Sequence, residues 1–413
     1  MSVENPTTAP ESALLAGQAA QSPSEYLQGY LKRVTSGDLG SLPIILGLII
    51  IAIVFQSQNQ NFLTARNFVN LIVQMAGITT IAYGVVFVLL IGEIDLSIGY
   101  VSAVAAVTMT LLLREPGGWP WYAALGLALI TVAIIGIVQG LIITSFQLPS
   151  FVVTLAGLLA WNGVVLIMIG GAGTVIIQDN VIIGIANYFL PPLWGWIVAA
   201  VFVGGYILFR IRQVIARRSQ GLPTTPMLIV TVQSIGLAIL AGIAVYVCNL
   251  DRGVPFVGII LLVFLVFFSF LATKTPFGRY VYAVGGNKEA ARRAGISVQK
   301  IQVIVFMISS TMAGMGGIIL ASRLRSVDTA AGGGNLLLNA IAAAVIGGTS
   351  LFGGSGRVSS AILGALIIMS VENGMGLLGL SSGVKFVITG LVLLLAVLVD
   401  AISRRSRSQS GLA

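Results

Sequence analysis

An all-α integral membrane protein, a polytopic helical bundle of about 10–12 transmembrane segments with broken or re-entrant elements, is the fold class this sequence predicts. Three observations carry the prediction. Of 413 residues, 57% are hydrophobic and only 8% charged, with a mean hydropathy of +1.02, so there are too few charges to cover a water-facing surface. Apolar runs recur along the chain near the ~20 residues that a helix rising 1.5 Å per residue needs to cross roughly 30 Å of hydrocarbon, which favours helices over a barrel. Gly is abundant, at 50 residues, and is too dense around 332–356 for a regular helix, so that region reads as a broken, re-entrant element.

Taken in order, residues 1–41 form a polar tail rich in Pro, Ser, Gln and Thr, without the charged-then-apolar pattern of a secretory signal, and read as a cytoplasmic N-terminal tail. A transmembrane domain over 42–402 follows. Its expected spans are roughly 42–55, 67–91, 97–113, 121–144, 149–170, 193–209, 227–249, 254–272, 300–321, 336–350, 357–377 and 383–402. The first and tenth are the weakest of these, being short or interrupted by Gly, and removing both leaves ten crossings with the same orientation. A basic C-terminal tail, 403–413, ends the chain.

Charge sets the orientation. With both termini on the cytoplasmic side, every Lys and Arg except Arg66, Arg114, Arg252, Arg323, Arg325 and Lys385 falls on the inner side, the positive-inside pattern expected of a multi-pass plasma-membrane (inner-membrane) protein. The net charge of +9 is therefore a topology signal, and no nucleic-acid partner is expected. Trp119, Trp121, Trp194 and Trp196 lie in the Pro- and Gly-rich outer segments EPGGWPW (115–121) and LPPLWGW (190–196), where an aromatic belt should sit; sugar stacking is the competing role.

Polar residues inside apolar runs are candidates for function. The stretch GEIDLSIG (92–99) sets Glu93 and Asp95 between two apolar helices, where an acidic group is costly. Asp95 or Ser97 would cap the helix that follows, and a capped broken helix could also meet substrate. With Gln74, Asn162, Asn339 and Thr349 these residues form a candidate translocation path; helix-to-helix hydrogen bonding is the competing role for each. Glu372 and Lys385 are expected near one another at outer helix ends. The spacing I-G-x-x-x-L-x-x-G occurs twice, at 91–99 and 346–354, a hint of two halves related by duplication.

There is no His, which removes the commonest general base and metal ligand, and no G-x-x-x-x-G-K-[S/T] phosphate cradle. Against this background the passage GGNKEAARRAGISVQK (285–300) is a charged island between apolar runs. Lys288 to Ala294 favour a short helix, and Gly295 can end it in a left-handed turn.

IDLSIG (94–99), LPSFVVTLAG (148–157), FGRYVYAVGGNKEAARRAGI (277–296) and AIAAAVIGGTSLFGGSG (340–356) together resemble the permease family of ATP-binding-cassette importers for xylose, ribose and related monosaccharides. The xylose-type branch is the nearer likeness, through SRL (322–324), ENGM (372–375) and an additional basic loop and apolar segment at about 210–250. The resemblance implies that Gly286, Asn287, Glu289, Ala290, Ala291 and Gly295 couple the chain to an ATPase, although the Leu-Pro that ends the wider coupling motif is absent here. It implies two cytoplasmic ATP-binding subunits holding ATP and Mg, an extracytoplasmic sugar-binding protein, a permease homodimer in the lipid bilayer, and no cofactor and no catalysis in this chain. An ion-coupled secondary sugar transporter using Glu93, Asp95 or Glu372 is the alternative; a membrane enzyme or a channel is disfavoured by the missing metal cluster and filter.

Overall fold

The computed structural model describes residues 42–222 and 224–392, with residues 394 and 398; both expected tails lie outside the described residues. The helices are α1 (Leu42–Gln58), α2 (Ala65–Leu90), α3 (Ile98–Leu112), α4 (Trp121–Ser145), α5 (Ser150–Ile169), α6 (Asn180–Asn187), α7 (Pro192–Ser219), α8 (Met227–Asn249), α9 (Phe256–Lys274), α10 (Pro276–Gly286), α11 (Lys288–Arg293), α12 (Val298–Leu324), α13 (Leu336–Ile346), α14 (Val358–Leu377) and α15 (Ser382–Val392). The strands β1 (Thr174–Ile176) and β2 (Ser326–Asp328) pair antiparallel, Val175 opposite Val327. Each expected span has a helix. Among the described residues eight helices are long and apolar enough to cross a membrane, and the remaining four, at 44–58, 98–112, 336–346 and 382–392, are shorter.

Two of the short ones are the broken elements. Helix α3 has 15 residues and α13 has 11, roughly 22 and 16 Å of rise, too little for a hydrocarbon core of about 30 Å. Both begin and end in irregular backbone. Gly92 leaves α2 at φ +71°, and the chain around α13 turns through Gly332, Gly334, Gly348, Gly353 and Gly354, all at positive φ. Such backbone survives at membrane depth only when protein covers it, and both segments are surrounded by other helices.

The centre of the bundle is α12, packed chiefly against α2, α4 and α3. Small residues let these helices approach main chain to main chain. A Cβ on Gly77 would strike Leu320 and Gly316, one on Gly84 would meet Ser309 and Met312, and one on Gly136 would strike Phe306 and Met307. The register shows that α2 and α4 both run antiparallel to α12. Tyr83, Phe87, Leu89, Phe306 and Met312 fill the space that remains, and α2 is buried along most of its length.

Outside this centre the polarity is reversed relative to a water-soluble protein. Apolar side chains of α1, α5, α7, α8 and α9 point outwards, among them Leu159, Val201, Leu240 and Phe267, as a lipid-facing shell requires. Trp119, Trp121, Trp194 and Trp196 are exposed at the starts of α4 and α7, a placement that suits belt anchors and stacking residues alike. Three elements were absent from the expectation: α6, α10 and the β ribbon. Asp179 caps the short helix α6 by accepting from Val181 N and Ile182 N at 2.9 Å, and Ser322 binds it to α12 by accepting from Ala186 N at 2.9 Å. The β ribbon lies at the same end of α12, β2 following directly on it.

Gly317 is the most demanding contact at the centre, because a Cβ there would overlap the Ser102 carbonyl and no side chain can yield. Gly317→Val should lower the melting temperature of the detergent-purified protein by an amount matching an overpacking cost of about 2 kcal/mol or more, whereas Gly126→Val, with open space around it, should leave melting unchanged.

Candidate functional site

The charged island folds into α10, α11 and the turn that leads to α12. Thr275 starts α10 by accepting from Gly278 N at 3.2 Å, and Asn287 starts α11 by accepting from Ala290 N at 2.9 Å. Gly295, at φ +83°, ends α11 as its type and position imply, with its N–H on the Arg292 carbonyl and the Ile296 N–H on the Ala291 carbonyl. Ala291 is the buried residue of this helix, while Glu289, Arg292 and Arg293 stand in solvent. The exposed pairs Glu289–Arg293 (3.2 Å) and Glu289–Arg292 (3.5 Å) contribute little stability, so this face can exchange its partners cheaply.

Beneath α11 three turns meet. The Gly354 N–H donates to the Leu90 carbonyl at 2.9 Å, and a Cβ on Gly285 would overlap that same carbonyl and crowd Gly354 N. A Cβ on Gly92 would lie 3.3 Å from Phe352 O, and one on Gly354 would lie 3.1 Å from Gly286 Cα. The two copies of I-G-x-x-x-L-x-x-G are thus held against each other and against the start of α11. Tyr282 adds a bond from its hydroxyl to Gly356 O at 2.8 Å. Burial raises its phenol above the usual range, and the nearby charge of Arg357 opposes that rise.

Glu93 joins this junction and does not lie with the other acidic candidate. Its carboxylate pairs with Lys288 Nζ at 2.5 Å and accepts from Gln302 Nε2 at 2.8 Å, tying the break after α2 to the starts of α11 and α12. Asp95 is fully inside. Its Oδ1 accepts from Ser97 N (3.0 Å) and Ser97 Oγ (2.7 Å), and its Oδ2 from Ser309 Oγ (3.0 Å), about 16 Å along α12. Ser97 Oγ also meets Gln139 of α4. Ser97 is the residue before α3, as the capping expectation requires, but its side chain makes no capping bond, because Asp95 and Gln139 hold it.

The other expected path residues sort into separate groups. Gln74 accepts from Asn373 at 3.2 Å, and Asn373 exchanges amide bonds with Asn67 at 2.8 and 3.0 Å, the helix-to-helix hydrogen bonding expected of such groups. Asn339 donates to Glu372 at 3.0 Å, and the charges of Lys385 and Arg323 face the same carboxylate. Thr349 is buried beside Gly356 with its hydroxyl unpartnered, as is Oδ1 of Asn339. Asn162 is half-buried on α5. Ser309 and Gln302 were not singled out from the sequence, and a Ser or Gln in a long helix carries no mark of which acid it will meet.

The arrangement is mechanical: an exposed charged helix is fixed through Lys288, Asn287 and a junction of glycines to both breaks in the bundle. Among the described residues no cluster of His, Cys, Asp or Glu could hold a metal.

Residues 67–397 match the family model described as branched-chain amino acid transport system / permease component. The chain is similar to the xylose transport system permease protein of Escherichia coli (strain K12), 37% identical over 349 residues that cover 83% of this chain and 87% of that protein. It is also similar to the xylose transport system permease protein of Haemophilus influenzae, at 33% over 88% of this chain and 98% of the relative. The ribose import permease protein of Bacillus subtilis matches at 32% over 91% of this chain and 98% of its own length. No solved structure matches.

The junction yields an ordering of stabilities. Glu93 is only 11% exposed at its side chain against 43% for Lys288, so removing the lysine strands a nearly buried carboxylate. Lys288→Met should lower the melting temperature more than the double change Glu93→Gln with Lys288→Met, with a coupling of about 1 kcal/mol after allowing for the exposed lysine. Additive single effects would show that the pair is idle.

Proposed function

The chain belongs to the branched-chain amino acid transport system permease component family, and from that premise we propose that it is the membrane-spanning permease subunit of an ATP-driven importer of a monosaccharide, xylose in preference to ribose. It is a multi-pass membrane protein and a transport component, not an enzyme. The observation that supports the reading best is the attachment of α11 to both broken elements through Leu90, Gly285 and Gly354. The higher identity to the two xylose permeases favours xylose, by a margin of a few percent over the ribose permease.

In this reading two copies of the chain form the permease, with residues 42–402 as its transmembrane domain, 285–300 as the coupling loop, and both tails in the cytoplasm. Two ATP-binding subunits dock on the Glu289, Arg292 and Arg293 face of α11 and hold ATP and Mg, while a sugar-binding protein delivers substrate on the opposite side. Closure of the ATPase pair moves α11, and the rigid junction passes that motion to the breaks at 91–97 and 347–356. ATP biases the bundle only to the extent that it binds one of its states more tightly, and driving a 1:99 mixture to 99:1 takes about 5.5 kcal/mol of such preference.

Reconstitution tests this directly. In vesicles, uptake of labelled xylose should require ATP, the ATP-binding subunits and the binding protein together, and should exceed uptake of labelled ribose. Uptake by the lone chain driven by a proton or sodium gradient would replace the proposal with the secondary carrier. Ala291→Pro, which removes the bond from Ala291 N to Asn287 O and disturbs the one buried position of α11, should cut ATP-driven uptake at least about tenfold. Retained uptake and retained ATPase co-purification would overturn the coupling role of α11.

A further inference from the structure

Helices α7 and α8 pack chiefly on each other, α8 also touching α2, and α7 buries only Gly195. Near their turn lies an apolar cleft of about 250 Å³ lined by Ile207, Ile211, Val230, Ser234, Ile235 and Ala238. Its hydroxyls are already spent on their own helix: Ser234 donates to Val230 O at 2.7 Å and Thr231 to Met227 O at 3.0 Å, so the cleft offers no free donor. What fits it is a hydrocarbon chain.

The rim is the opposite. Arg210 bridges the two helices, donating to Gln233 Oε1 at 3.2 Å and to Gln213 Oε1 at 3.3 Å, and its Nε–H is buried with no partner. Lys274, the last residue of α9, lies with its ammonium 5.6 Å from the centre of the Phe209 ring, which brings it to the same level of α7. Arg212, Arg217 and Arg218 are exposed on the following turns. No acidic residue occurs between Asp179 and Asp251, or between Asp251 and Glu289, to neutralise them.

Depth identifies the occupant. Helix α7 has 28 residues, about 42 Å, and Arg210 lies about 27 Å from its first residue, the thickness of a hydrocarbon core. Arg210 and its partner Gln233 therefore stand near one boundary of the core, and the cleft, lined on both sides of that level, runs from it toward the core at Ile207 and Ala238. A second copy docked by a two-fold axis would bring five cations onto five cations, and a soluble partner would not reach the cleft.

We propose that this cleft and its rim bind an anionic phospholipid from the leaflet on the α11 face, with its phosphate on Arg210 and Lys274 and an acyl chain between α7 and α8. The site would hold the peripheral α7–α8 pair against α9, beside the start of α10. It does not depend on the transport reading.

Native mass spectrometry of the full-length chain, titrated with phosphatidylglycerol or phosphatidylcholine of matched chains, tests it. Phosphatidylglycerol should bind at least about tenfold more tightly, on the order of fivefold per contacting cation. Arg210→Gln with Lys274→Gln should abolish that preference. Ala238→Trp, which keeps every charge but fills the cleft, should weaken phosphatidylglycerol about as much, and Arg217→Gln with Arg218→Gln, both on the surface, should weaken it by a smaller factor without touching the fold. Arg66→Gln with Arg114→Gln, removing two charges elsewhere, should change nothing. The proposal is overturned if the rim variants keep the preference, if the distant pair lowers it equally, if millimolar inorganic phosphate displaces the lipid completely, or if the rim variants change only the oligomeric mass.

Discussion

Where Leu90, Gly285 and Gly354 meet, three main-chain segments approach so closely that no side chain fits between them, and the rest of the inner architecture depends on that closeness. A hydrogen bond from Gly354 to Leu90 fastens the two breaks to each other, and the absence of a Cβ on Gly285 lets the start of α11 lie against both. Contacts between side chains can slip through a choice of rotamers. Contacts between backbones cannot, so displacement of α11 has few places to dissipate before it reaches the irregular segments.

The polar groups beneath this junction are distributed by the same logic. Three of these groups are held by other helices: the Glu93 carboxylate by α11 and α12, the Asp95 carboxylate by α12, and the Asn339 amide nitrogen by its bond to Glu372 of α14. In hydrocarbon a polar group left without a partner costs several kcal/mol, so these bonds specify which helix must sit beside which. Of the seven polar residues expected along one path, Gln74, Glu93, Asp95, Ser97 and Asn339 make contacts of this kind in separate groups, while the buried Thr349 hydroxyl has no partner.

Much of this was legible beforehand, and the limits are physical. Apolar runs became helices because nothing else satisfies a backbone in lipid, and the glycine-dense passage at 332–356 became irregular because glycine tolerates positive φ. The helix-forming residues from Lys288 to Ala294 and the turn at Gly295 were enough to place α11, while the cap at Asn287 emerged only from the structure. By contrast β1 and β2 are three residues each, too short for any alternation to register, and α6 is a cap closed by Ser322 from 136 residues away. The junction of three turns was visible only as a repeated spacing. That Gly285, outside the repeat, would complete it is a property of packing that no local pattern carries.

The position of α12 has a consequence for how the protein is made. Asp95 and the glycine faces of α2 and α4 leave the ribosome long before the helix that completes them, since Ser309 follows Asp95 by 214 residues. At about 5–20 residues per second, the early helices wait roughly 10–40 seconds for it. During that interval a carboxyl group at membrane depth has only Ser97 and Gln139 for company. Until α12 arrives the Ser309 side of that site is missing, and α7 to α9 are laid down around a centre that is still empty.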